Sequence, residues 1–176
     1  MINKKEIDLK VSEICSHVPE LVCLRYKEII GEVYLRLRKN NVYLLVKQGC
    51  DRSDIQWVHD NSVLKPYLIK LGVSNYFCKS VLWDLVHELG HLLIFDFGRK
   101  VPEPKPWWLM LPRQRCARNK GEAQLQLNNE EAAWDTGEKW LKEKFTLRED
   151  EWDDFNSRRK LCLDTYKGKV EHFGNR

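Results

Sequence analysis

No run of uninterrupted apolar residues in this chain approaches the roughly 18 that a helix needs to cross a bilayer, so no membrane-spanning segment is expected. The opening Met-Ile-Asn-Lys-Lys-Glu has no apolar stretch behind its lysines and does not read as a secretory signal. No C-x-x-C pair occurs. The six cysteines, Cys15, Cys23, Cys50, Cys78, Cys116 and Cys162, are scattered singly, which fits neither a zinc knuckle nor a disulfide frame. They read as reduced thiols, and the expected location is cytoplasmic. There is no internal repeat or low-complexity tract. The net charge of +4 is too small to demand a polyanionic partner.

What remains is the composition of an ordinary soluble domain, 43% hydrophobic and 32% charged. The 176 residues are expected to form one domain, residues 1–176, large enough to bury a core without staples. Asn3 followed by Glu6 fits a capping box, and Ile7, Val11, Ile14, Cys15 and Val18 recur at helical spacing, so residues 4–17 predict an amphipathic helix. Leu21 to Tyr26 reads as a strand. Val33, Leu35 and Leu37 alternate with Tyr34, Arg36 and Arg38, and a turn at Lys39-Asn40-Asn41 returns the chain through Val42 to Lys47, which together predict a β-hairpin. Ile55 to Val58 extends the sheet, and residues 62–71 read weakly as a helix closed by Gly72.

The apolar stretch from Val81 to Ile94 holds His87-Glu88-Leu89-Gly90-His91, an H-E-x-x-H pattern. On a helix capped by Ser74 or Ser80, residues four apart stand one turn above each other. His87 and His91 can then hold one metal ion, and Glu88 lies beside them as a base for a water at the metal. Trp83, one turn earlier, is either a wall of the metal pocket or plain core. The segment 101–112, with four prolines around Trp107 and Trp108, cannot be a regular helix and reads as a packed or binding loop. Arg113, Arg115, Arg118 and Lys120 form a short basic run that reads as a solvated face.

A catalytic zinc takes three protein ligands and a water, so a third ligand is required. Asn128 or Asn129 is expected to cap a helix over 130–145, followed by a charged tail. There Glu131 and Asp135 share a face: Glu131 is the expected metal ligand, and Asp135 is expected to accept the free N–H of a ligand histidine. Glu130, adjacent and about 100° away around the helix, is the second candidate. Asp96 reads as a helix-end residue. Cys50 occupies the upstream place of the cysteine ligand in peptide deformylases, without the rest of their motif.

His87-Glu88-Leu89-Gly90-His91-Leu92-Leu93 followed by Glu131-Ala132 resembles the zincin metalloproteases whose third ligand is a glutamate, most of all the ImmA/IrrE-like group. The resemblance covers residues 80–141. It implies an α+β fold with a minimal zincin-like core: an N-terminal helix, a small mostly antiparallel sheet, the motif helix and a glutamate helix. It also implies a zinc-dependent endopeptidase, with Glu88 as general base and Tyr166 or His172 as candidates to stabilise the oxyanion. The implied partner is a protein or peptide substrate, a cytosolic regulator such as a helix-turn-helix transcriptional repressor. The alternative from another class is a non-catalytic zinc-containing interaction or DNA-binding protein, or a DNA-stimulated protease; nucleic acid is the less favoured partner.

Overall fold

The computed structural model describes residues 3–50, 53–60, 63–73, 80–94 and 117–174. The first helix, α1, spans Lys4–His17, with the Asn3 side chain accepting the Glu6 N–H at 3.1 Å. After a 3₁₀ turn at Pro19–Val22 comes α2, Leu24–Lys39. The expected strand at 21–26 and the first arm of the expected hairpin are therefore helical. The reason lies in two periods that overlap. Val33 and Leu37 satisfy both alternation and the four-residue helical step, but Tyr26, Ile29, Ile30, Val33, Tyr34 and Leu37 form one continuous buried helical stripe. Sixteen residues of helical period outweigh five of alternation.

The turn expected at Lys39-Asn40-Asn41 is present, as a helix end. Asn41 takes a left-handed φ of 57°, Val42 N–H bonds Leu37 O at 2.9 Å, and Asn41 N–H bonds Arg38 O at 3.1 Å. That pair of bonds closes the last turn of α2 and redirects the chain into the sheet. Three strands follow: β1 Tyr43–Gln48, β2 Asp54–Asp60 and β3 Val63–Val73, in the order β1-β3-β2. β1 runs parallel to β3 and β2 antiparallel to it, so the small sheet is mixed rather than mostly antiparallel. The weak helix expected over 62–71 is the central strand. Its Pro66 is accommodated because β1 pairs only from Leu68 onward and the β2 pairing shifts register between Gln56 and Trp57, beside Pro66. Proline is admitted to sheets at such unpaired edges and irregularities.

The motif helix α3 is Ser80–Ile94. It packs against α2, β3 and two further helices, α4 at Lys120–Lys144 and α5 at Glu149–Gly174. Being surrounded explains why Val81 through Gly90 are all buried and why the stretch is apolar on every side. The start of α4 lies ten residues before the expected one. Asn119 accepts the Glu122 N–H at 2.9 Å, the same side-chain cap that opens α1 at Asn3, and Glu122 returns a carboxylate to the Arg118 N–H at 2.8 Å. Arg118 and Lys120, read as part of a basic run, thus mark a helix start. The charged tail is α5, whose Glu151 is nearly fully buried and takes up the Arg148 N–H and the Arg25 guanidinium, both at 2.7 Å.

The architecture is α+β, with α3 at its centre. Trp83 is core: it meets Tyr26 and Phe155 edge-on at ring-centroid distances of 6.1 and 5.6 Å. No helix among the described residues is long and apolar enough to cross a membrane. The proline-tryptophan segment 101–112, Asp96, Arg113 and Arg115 lie outside the described residues.

Candidate metal centre

α3 and α4 run side by side in opposite directions, and their separation is set by glycine. A Cβ on Gly90 would lie 2.9 Å from the Ala133 carbonyl carbon and closer still to its oxygen, and one on Gly137 would lie 3.0 Å from the Val86 oxygen. Only a bare backbone permits this approach. It brings a carboxylate of α4 between the imidazoles of α3, and that carboxylate belongs to Glu130. Glu130 Oε2 lies 3.0 Å from His87 Nε2 and 3.5 Å from His91 Nε2, and the two Nε2 atoms are 3.1 Å apart.

His87, His91 and Glu130 are the group of ligating side chains brought together among the described residues. Glu131, the expected third ligand, is outside the group and half-buried; one residue of register along α4 turns the side chain through 100°. The second half of the same expectation changes with it. Asp135 is exposed and pairs with Arg159 of α5, not with a histidine. Among the described residues, the buried His87 Nδ1 has no hydrogen-bond partner. In place of a carboxylate the ring has Trp134 stacked on it at 4.5 Å and 23°. Cys50 is likewise outside the group.

The triangle fits a zinc ion. Ligand atoms about 2.0–2.2 Å from a tetrahedral ion stand roughly 3.3–3.5 Å apart, against the 3.0, 3.1 and 3.5 Å found here. The charges suit it as well. Burial pushes the His87 pKa below its ordinary value, with the adjacent His91 acting in the same sense, so the ring is the neutral form that donates a lone pair. For Glu130, burial raises the carboxyl, but His91 and His87 together outweigh it and hold it well below the usual carboxylate range. One carboxylate and two imidazoles make up the donor set of a glutamate-type zinc site.

Glu88 is also buried, next to His87 on the motif helix. α5 completes the surroundings. Arg158 grips Asp84, one turn before His87, through two bonds of 2.7 and 2.8 Å. Arg159 grips α4 at Glu138, 2.8 Å, and at Asp135. Counting on from Arg158 in helical steps of four gives Cys162 and then Tyr166. Burial pushes the Cys162 thiol up to about 11, with Arg158 opposing, and Cys162 is outside the ligand group. Burial raises the Tyr166 hydroxyl strongly, followed by the neighbouring charges of Glu130 and Glu88 and a hydrogen bond to Glu130. His172, the other candidate for the oxyanion, is exposed near the end of α5. The helical repeat Arg158, Cys162, Tyr166 was the available sign that the charged tail faces the motif.

No protein-family model matches the chain, and no significant match appears among curated proteins or solved structures.

Proposed function

We propose that this chain is a zinc-dependent endopeptidase of the glutamate zincin type, related in chemistry to the ImmA/IrrE-like group, with His87, His91 and Glu130 as ligands. The observation that carries the reading is that, among the described residues, three donors converge within zinc distance while a further buried carboxylate, Glu88, stands beside them. A structural zinc is closed by four protein ligands, whereas a hydrolytic one keeps a position open. When bound, zinc supplies a Lewis acid and a water acidified toward about pH 7.

The protein's own part is proton handling and orientation. Glu88 takes the proton of the attacking water on a carboxylate oxygen and delivers it to the nitrogen of the leaving amine. Tyr166 steadies the Glu130 carboxylate through its hydroxyl. Glycine at 90 and 137 holds the two ligand helices at the spacing the site needs. The substrate class follows from the family resemblance: a cytosolic regulatory protein cut at one bond.

The test is Glu88→Gln beside wild type, scored on zinc content, fold and cleavage of proteins encoded by neighbouring genes. Zinc and fold should persist while turnover falls about 10²–10⁴-fold. Undiminished cleavage by the variant would remove Glu88 from the mechanism. A wild type loaded with zinc that cuts none of the candidates would favour the non-catalytic, zinc-containing interaction protein.

A further inference from the structure

His87 is held differently from an ordinary zinc-ligating imidazole. Its Nε2 faces the other two donors, so in the neutral, ligating form the ring proton sits on Nδ1. A ligand histidine normally gives that proton to a carboxylate, a carbonyl or a water, and the bond fixes how the ring is turned. Among the described residues the buried His87 Nδ1 has no such acceptor. A flat face takes over the task. Trp134 follows Glu130 by four residues on α4, so successive turns of one helix bring a carboxylate to Nε2 and an indole to the ring plane. The two rings lie 4.5 Å apart and 23° from parallel, while His91 meets His87 edge-on at 4.5 Å and 72°.

Trp134 is itself held from behind. It is fully buried and meets Phe155 of α5 at 5.3 Å and 73°. Its Nε1 also lacks a partner among the described residues, so what it offers is its face rather than its N–H. That face suits a metal-bound ring. A cation on Nε2 draws charge out of the imidazole, and the electron-rich indole then attracts the ring more strongly. We propose that Trp134 is a positioning residue of the metal centre, holding His87 by stacking where other zinc sites use a hydrogen bond. The proposal rests on the reading that His87, His91 and Glu130 bind zinc.

The same core supplies a matched control. Trp83 is also fully buried, leaves its Nε1 unpartnered among the described residues and meets Phe155 edge-on, but its other ring contact there is Tyr26 rather than a ligand. The experiment is zinc affinity by chelator competition on the full chain as wild type, Trp134→Leu, Trp134→Phe and Trp83→Leu, with circular dichroism as the check on folding. Trp134→Leu should bind zinc about 10–100-fold more weakly, the ordinary cost of losing a ligand's support. Trp134→Phe keeps a ring face and should recover most of that loss, and Trp83→Leu should bind like wild type. Imidazole NMR of the zinc-loaded wild type decides the matter should Trp134→Leu not fold: the His87 Nδ1 proton should lack the downfield shift of a hydrogen-bonded one. Undiminished affinity in Trp134→Leu, an equal loss in Trp83→Leu, or a hydrogen-bonded Nδ1 proton would each overturn the proposal and leave the zinc site standing. A wild type that binds no zinc would overturn the metal centre, and this inference with it.

Discussion

Two carboxylates are buried next to the same helix face, and they are satisfied in opposite ways. Asp84 has a permanent cation built in: Arg158 binds it through both oxygens, and the pair is closed within the protein. Glu130 faces two imidazoles, one of which burial keeps from taking a proton. The difference separates a structural joint from a group of side chains that could hold a metal ion. Both carboxylates are buried, so burial alone does not mark function; what differs is the partner that the fold sets against each.

Breaking the self-contained pair should have the largest effect on stability. Asp84→Asn or Arg158→Met breaks the buried two-bond pair and should cost about 3–5 kcal/mol, whereas Asp84→Leu with Arg158→Met should recover most of it. Chemical denaturation of the four proteins measures this. A double variant as unstable as the singles would mean the pair does more than neutralise itself. Next in size is Gly90→Ala, which drives a methyl into the Ala133 carbonyl and should cost about 1–3 kcal/mol while loosening metal binding, because α3 and α4 must separate. Thermal melts with and without zinc report both effects; an unchanged melt would mean the helix crossing is not set by the glycine. The smallest effect is expected at Tyr166→Phe. Losing the hydroxyl that steadies Glu130 should weaken zinc about ten-fold, measured by competition with a chelator, with little change in apo stability. No change in affinity would remove Tyr166 from the ligand's support.

The sequence makes some of this legible and hides the rest for physical reasons. The Asn3–Glu6 capping box and the stripe behind it predict α1 correctly, and the H-E-x-x-H stretch predicts α3, because both signals are local. The same side-chain cap at Asn119–Glu122 was hidden among basic residues, and with it the first ten residues of α4. Once a helix start is misplaced, nothing local decides between Glu130 and Glu131. The choice is made by how α4 rolls against α3, and that is set by Gly90, Ala133 and Gly137 at the crossing. Val33 to Leu37 misled because a five-residue window fits both periods. β3 was read as a helix because the sheet edge that accepts Pro66 exists only in the tertiary fold. α5's contribution was least accessible, since an arginine or tyrosine in a charged helix declares its partner only through packing.

The most direct measurement is zinc content, by elemental analysis after dialysis, of wild type, Glu130→Gln and Glu131→Gln purified without added metal. One zinc per chain is expected in the wild type and in Glu131→Gln. In Glu130→Gln, loss of a charged ligand should lower affinity by more than about 100-fold and empty the site. Zinc retained by Glu130→Gln, or lost only from Glu131→Gln, would contradict the assignment of Glu130 as the third ligand.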